Sequence, residues 1–334
     1  MAQLVARPGK KMSTRYGYTS SADLKRRTPF QKFLHNFKRN WQLHLMIAVP
    51  LAYILIFAYL PMYGIQIAFR EFTIKDGITG SPWIGLKNFF QFFDNRQWSR
   101  YVGNTLTISL YSLAAGFPIP IFLAMIIHVN EHPVLKKITQ NVSYIPHFIS
   151  TVVMVGIINQ VFKPFNGLIA SVFQMFGSSF NEDVRVNPDT FYHLYVWSGV
   201  WQGMGWSAIM YVAALAGVPL ELHEAAKIDG ASRWRRVLSV DLPAILPTIC
   251  ILLILRFGSV MSVGHEKVFL MQYSTNMSKS QVISTYVYRE GMTNPNNYSF
   301  GSAVGLMNSV INTSMVLLVN WVTNKLSDGE SGLF

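Results

Sequence analysis

The sequence has little charge and almost no cysteine. Only 13% of its 334 residues are charged, where about 25% is typical of soluble globular proteins, and 51% are hydrophobic. The single cysteine excludes a fold held together by disulfide bonds, and the apolar composition excludes intrinsic disorder. Two classes remain: a large, unusually apolar soluble protein, or a membrane protein that crosses the bilayer several times.

Six stretches of the chain contain no Asp or Glu and are long enough to cross about 30 Å of hydrocarbon as helices. Because lipid cannot hydrogen-bond the backbone, and the alternating pattern of barrel strands is missing, these stretches are predicted to be transmembrane helices. A soluble core of six helices that are apolar on all sides is disfavoured in a chain of this length. The predicted spans are 43–64, 104–128, 142–162, 191–217, 244–264 and 300–322.

The distribution of Lys and Arg predicts the orientation. With a cytoplasmic N-terminus, the inner segments hold 17 Lys and Arg and the outer segments hold 10, and the excess precedes the first span. Both termini are therefore predicted to be cytoplasmic. We attribute the net charge of +12 to this bias and to anionic lipid, not to nucleic acid. The predicted organisation is a flexible basic tail (1–27), an amphipathic helix (28–42), a transmembrane domain (43–322) and a cytoplasmic tail (323–334).

The predicted helix 28–42 carries Phe and Trp residues at helical spacing with basic residues between them. This pattern is typical of a helix that lies on the inner membrane face. Packing on a cytoplasmic partner is the other interpretation, and the interface is favoured because the first span follows at once.

Residues 218–243, the predicted cytoplasmic loop between the fourth and fifth spans, have the pattern of a helix, a tight turn and a second helix. Pro219 begins the first helix, and Asp229-Gly230 supplies a residue that adopts a positive φ at little cost. Pro243 is predicted to end the second helix. The two small residues in Glu224-Ala225-Ala226 suit a short helix that inserts closely into a groove of another protein.

This loop resembles that of the permeases of binding-protein-dependent ABC importers. Their cytoplasmic signature is Glu-Ala-Ala, three residues, Gly, nine residues and Ile-x-Leu-Pro. The chain has Glu224-Ala225-Ala226, Gly230 and Val240-Asp241-Leu242-Pro243 at the same spacing, with Val in place of Ile. Four other segments are similar to the oligosaccharide and polysaccharide branch of that family: 59–64, 285–289, 298–299 and 303–306.

The resemblance implies an all-α membrane protein with the type I importer fold and six transmembrane helices, in the bacterial inner membrane. It implies a second permease subunit in a pseudo-twofold heterodimer, two ATPase subunits, an extracytoplasmic solute-binding protein and an oligosaccharide substrate. It also implies that one set of residues couples the permease to the ATPase: Glu224, Ala225, Ala226, Asp229, Gly230 and Ala231.

The subunit itself is expected to be non-catalytic. The sequence has no Gly-x-x-x-x-Gly-Lys-Ser/Thr loop, so ATP and Mg²⁺ are expected to bind to the partner ATPase, with no cofactor in this subunit. No metal site is predicted, because His128, His147 and His193 lack ligand spacing.

Arg256 is the one Lys or Arg in the predicted spans, and such a residue is costly enough in lipid to suggest a function. It either lines the substrate pathway and meets the carboxylate of an acidic, uronate-type oligosaccharide, or it contacts carbonyl groups or a partner helix. If the span is shifted, its side chain snorkels to the membrane surface. Tyr195, Trp197 and Trp201 in the fourth span are candidates for stacking on sugar rings, although packing or interface anchoring also explains such aromatic residues.

A secondary, ion-coupled solute carrier is the alternative function. Such carriers usually place acidic groups within the membrane, and the six predicted spans contain none. A channel or receptor would not need the helix-turn-helix pattern at 221–243, and no metal or nucleophile constellation indicates a membrane enzyme.

Overall fold

The computed structural model describes residues 37–293 and 297–326. These residues fall into two units, one ending at Gly64 and the other beginning at Ile65. The described residues are mostly helical, and the β-structure among them is a single isolated bridge between Arg70 and Trp83. The predicted tail 1–27, most of the amphipathic helix 28–42, and residues 327–334 lie outside the described part of the chain.

The first unit contains helical turns of three kinds. In chain order they are α1 (Trp41–Ile54), a π-helical turn (Leu55–Tyr59) and α2 (Leu60–Met62), after which a 3₁₀ segment (Tyr63–Phe69) begins. The helical stretch Trp41–Phe69 contains no charged residue, and its most apolar window of 18 residues has a mean hydropathy of 2.2. It is long enough to cross a bilayer.

The second unit is built from many helices of very different length. In chain order they are α3 (Gly77–Gly80), α4 (Lys87–Asp94), α5 (Trp98–Gly116), α6 (Pro118–Val129), α7 (Pro133–Tyr144), α8 (Thr151–Val161), α9 (Leu168–Met175), α10 (Pro188–Ala216), α11 (Leu220–Ile228), α12 (Arg233–Arg236), α13 (Leu242–Phe257), α14 (His265–Leu270), α15 (Met277–Ser280), α16 (Ile283–Val287) and α17 (Tyr298–Leu326). A 3₁₀ turn (Ile145–Phe148) and two π-helical turns (Val237–Asp241 and Tyr288–Met292) connect some of them.

The long helix α10 is the centre of the second unit and packs against α5, α6, α7 and α13. Its N-terminus is set by Asn187, whose side chain accepts a hydrogen bond from the backbone N–H of Asp189, with Pro188 as the first helical residue. At Gly205 the helix lies so close to α7 that a Cβ atom would stand 2.0 Å from the carbonyl oxygen of Ser143. Only glycine permits this approach.

Among the described residues, four helical stretches are long and apolar enough to cross a membrane: Trp41–Phe69, Trp98–Val129, Arg233–Phe257 and Tyr298–Lys325. Two more qualify as bent pairs. Pro133–Phe148 and Thr151–Val161 meet at 102°, and Pro188–Leu215 and Leu220–Ile228 meet at 77°. Each of the six overlaps one predicted span, but Leu220–Ile228 and the first eleven residues of Arg233–Phe257 belong to the predicted loop 218–243. The number of full crossings stays a prediction.

The prediction that Pro243 ends the second hairpin helix is wrong, because the helical stretch runs from Arg233 to Phe257. A proline in a regular helix clashes with the carbonyl group four residues earlier. For Pro243 that residue is Ser239, which lies in the wide turn Val237–Asp241. Wide turns of this kind accommodate a local irregularity without ending the helix. Pro61 follows the π-helical turn Leu55–Tyr59 in the same way.

Candidate functional site

The predicted coupling loop forms a hairpin with a well-defined turn. The hairpin begins with α11, which ends in two hydrogen bonds that close a Schellman motif: the N–H of Ala231 donates to Ala226 O at 2.9 Å, and that of Gly230 to Lys227 O at 3.1 Å. Gly230 has a φ of +75°, in the left-handed region that favours glycine. The Asp229-Gly230 pair therefore fixes the direction in which the chain leaves α11.

The outer surface of α11 is uncovered and carries both charged and large apolar side chains. Ile228 is 87% exposed and Leu220 69% exposed, and the side chains of Glu224 and Ala225 are also exposed. Large apolar side chains at this level of exposure are typical of a surface that another protein covers. The signature residues thus lie on a free face of the hairpin.

The second arm of the hairpin, in contrast, is attached to the body of the protein. The indole ring of Trp234 stacks on Phe122 of α6, with ring centroids 6.3 Å apart and planes 12° apart. Arg233 donates to Glu131 Oε2 at 2.8 Å. Val237 and Asp241 are buried. The second arm is therefore packed against α6 and the segment that follows it.

Arg256 lies in the last turn of α13, which ends at Phe257 and not near residue 264 as predicted. A cation in the last helical turn interacts favourably with the negative end of the helix dipole. Its guanidinium Nη2 lies 3.5 Å from Ser207 Oγ of α10. Arg256 lines three neighbouring cavities, of about 230, 260 and 260 Å³, that also share Gly116 of α5.

Lys267 of α14 lines one of these cavities with Arg256, and the sequence analysis missed it. Its Nζ donates to the backbone oxygen of Tyr195 at 2.9 Å and lies 4.7 Å from the centroid of that residue's ring. A Cβ atom at Gly199 would lie 3.3 Å from Nζ, so this glycine makes room for the amine. Burial lowers the pKa of Lys267 to about 8.

The aromatic candidates of the fourth span divide between two faces of α10. Tyr195 lines two of the cavities that contain Arg256. Trp197 and Trp201 instead line a separate, apolar cavity of about 530 Å³. Trp197 also donates from Nε1 to the hydroxyl oxygen of Tyr111 at 2.8 Å. The structure therefore brings Tyr195 and Arg256 together and does not bring the two tryptophans to them.

The position of Lys267 explains why sequence reasoning missed it. The predicted topology puts Lys267 in an outer loop, a few positions after the fifth predicted span, and only the tertiary structure brings its side chain to the cavity. Gly199 is the one weak signal of this contact in the sequence, since a small residue in an aromatic-rich span indicates that another segment of the chain approaches closely there.

A model of one protein family, the binding-protein-dependent transport system inner membrane component, matches residues 116–328. The matched segment contains the hairpin, α10, Arg256 and Lys267. The chain belongs to this family. The predicted family is therefore confirmed, and the ion-coupled carrier finds no support in these comparisons.

Relatives of this ABC transporter permease match nearly its whole length. It is 37% identical over 292 residues to the polygalacturonan/rhamnogalacturonan transport system permease protein YteP of Bacillus subtilis (strain 168), covering 87% of this chain and 90% of that protein. It is 38% identical over 299 residues to protein LplB of the same organism, covering 89% and 92%.

A solved structure confirms the fold. The permease superposes with a TM-score of 0.80 on a chain from the bacterial alginate ABC transporter in complex with alginate pentasaccharide-bound periplasmic protein. The two chains are 33% identical, and the match covers 90% of this chain and 99% of the other. The predicted all-helical permease fold is confirmed.

Proposed function

We propose that this permease is one of two membrane subunits of an ATP-driven importer, and that the transported solute is an acidic, uronate-type oligosaccharide. A solute-binding protein would deliver the sugar, and two ATPase subunits would supply the energy. This assignment extends the family membership by a substrate class and a set of partners.

One observation carries the substrate class: Arg256 and Lys267 lie in the wall of the same cavity. Two cations that converge on a cavity attract a carboxylate, and charge-assisted hydrogen bonds are stronger than neutral ones. The same wall contains the polar side chains of Ser112, Gln202 and Ser207, which suit the hydroxyl groups of a sugar. The names of two similar proteins point the same way, since they refer to polygalacturonan and alginate.

The transport cycle we propose is alternating access. Closure of the ATPase pair would move α11, and the attached second arm would transmit this movement to α13 and thus to the wall that carries Arg256. A ligand shifts such an equilibrium only by as much as its affinity differs between the two states. The delivered sugar would therefore have to contact the cavity differently when the cavity opens outward and when it opens inward.

The test of the substrate class compares two sugars that differ only in charge: a galacturonate oligomer and the same oligomer with its carboxyl groups methyl-esterified. We expect Arg256→Met to lower uptake of the acidic oligomer about tenfold, corresponding to the loss of one charge-assisted hydrogen bond, and to leave the neutral oligomer unaffected. Uptake is measured in membranes that contain the complete transporter.

The exposed Arg100 provides the control, since Arg100→Met removes the same charge away from the cavity. An equal loss for both oligomers would contradict the proposal. So would unchanged uptake of both.

Lys267 predicts a pH dependence of this uptake. A lysine is charged below its pKa, so its attraction for a carboxylate is present below about pH 8 and is lost as the pH rises above that value. We expect affinity for the acidic oligomer to fall between pH 7 and 9 in the native transporter, and this fall to disappear in Lys267→Met. A pH profile that is identical in both proteins would exclude the role of Lys267.

A further inference from the structure

We propose that His128, His223 and Asp241 form a binding site for a divalent transition-metal ion of the zinc class, at the base of the hairpin. Among the described residues, these are the one group of three His, Cys, Asp or Glu side chains whose ligand atoms lie close enough to hold a metal. The proposal does not depend on the transported solute.

The distances suit shared coordination. Oδ1 of Asp241 lies 3.1 Å from Nε2 of His223 and 3.6 Å from Nε2 of His128. In a tetrahedral zinc site with metal–ligand distances of about 2.0–2.1 Å, neighbouring ligand atoms lie about 3.3 Å apart. The three atoms all lie within 4.8 Å of one another. His128 has a quarter of its side chain exposed (25%), so it is the least enclosed of the three.

Asp241 gives a second and independent indication. Its side chain is only 2% exposed, yet Oδ1 receives no hydrogen bond of acceptable geometry, although two imidazole rings stand beside it. A buried carboxylate without a hydrogen bond is costly. A hydrogen bond needs the N–H of His223 to point at Asp241 Oδ1. Two ligands of one metal ion each point at the metal and not at each other, so they do not need this alignment. The observed arrangement fits a bridging cation better than a donor–acceptor pair.

The donors and the surrounding charges select the class of ion. Imidazole nitrogen favours zinc, copper, nickel and cobalt, whereas magnesium and calcium prefer oxygen ligands. Arg233 and Arg236 line the same small cavity, and Glu131 is paired to Arg233. Because these arginines repel cations, a cation that binds only weakly would not stay in the site. The cavity of about 90 Å³ leaves space for a water molecule as the fourth ligand.

The three ligands come from separate parts of the fold. His128 lies near the end of α6, His223 lies in α11, and Asp241 ends the π-helical turn before α13. A metal held by all three would join both arms of the hairpin to a helix of the body. It would therefore restrict the movement of α11 relative to α13.

Cobalt binding tests the site without using transport activity. The complete transporter is purified through a tag that contains no histidine, stripped with a chelator and titrated with Co²⁺. We expect one Co²⁺ per permease, the intense visible absorption of tetrahedral cobalt, and its loss when Zn²⁺ is added. Asp241→Asn and His223→Gln should each weaken binding by more than the 10- to 100-fold that is roughly typical of losing an outer-shell partner.

The control is His132→Ala, which removes an exposed histidine four residues from His128 and should leave cobalt binding unchanged. His128→Gln serves as a third ligand variant in case Asp241→Asn does not assemble. The proposal is overturned if the native transporter binds no stoichiometric Co²⁺, or if binding survives in assembled His128→Gln and His223→Gln.

Discussion

Replacement of Glu224 by lysine is expected to abolish uptake while the permease still inserts into the membrane. Glu224 lies on the exposed face of α11. A reversed charge there costs the fold little, because surface substitutions away from packed features change stability by only about 0.5 kcal/mol. At a protein interface, however, loss of a central contact typically costs about 2–4 kcal/mol, which is roughly a 30- to 1,000-fold loss in affinity.

The measurement is substrate-stimulated ATP hydrolysis together with uptake, in proteoliposomes that contain the whole importer. Glu182→Lys is the matched control, since it makes the same charge change at an exposed carboxylate in the loop before α10. We expect both activities to be lost in the Glu224 variant and retained in the control. Normal uptake by Glu224→Lys would show that this face of α11 does not take part in coupling.

The second large effect is expected at Gly230. Valine in the left-handed conformation that Gly230 adopts, with a φ of +75°, is strained by about 1–2 kcal/mol, and β-branched residues are especially unfavourable there. A Cβ atom at this position would meet nothing within 4 Å, so the strain is purely one of backbone conformation. We expect Gly230→Val to redirect the chain after α11 and to reduce uptake at least about tenfold, as expected for a turn destabilised by more than 1.4 kcal/mol.

Gly230→Asn separates conformation from side-chain size, because asparagine tolerates the left-handed region. It is expected to keep most of the uptake, and both variants are expected to insert equally well. Equal activity of the valine and asparagine variants, measured as uptake per inserted permease, would contradict the argument that the turn conformation matters.

The fold class and the hairpin could be predicted from the sequence because each depends on local patterns. Long runs without acidic residues identify the spans without any knowledge of the tertiary structure. The Asp229-Gly230 pair predicts a turn because it depends only on the backbone preferences of two neighbours. The spacing of Glu224-Ala225-Ala226 and Gly230 then predicted the family, which the comparisons confirm.

The residues that the sequence did not reveal are those that meet only through the tertiary structure. His128 and His223 are 95 positions apart, so no local ligand spacing exists between them. Lys267 reaches Tyr195 across 72 positions. The prediction that a helix ends at Pro243 was wrong for a different reason. A proline usually marks a helix boundary, and the wide π-helical turn that accommodates this one has no clear sequence signal.

Cross-linking from the exposed face of α11 tests directly whether an ATPase subunit binds to this face. The sequence contains one cysteine, so Cys250→Ala provides a background free of other thiols. Ile228→Cys then places a thiol at a position that is 87% exposed, and Phe176→Cys at one that is 85% exposed after α9, far along the chain from the hairpin. We predict that the thiol at 228 captures the ATPase subunit, that added ATP changes the yield, and that the thiol at 176 captures none. Failure of position 228 to capture the ATPase in an importer that still transports would show that the ATPase does not bind to this face of α11.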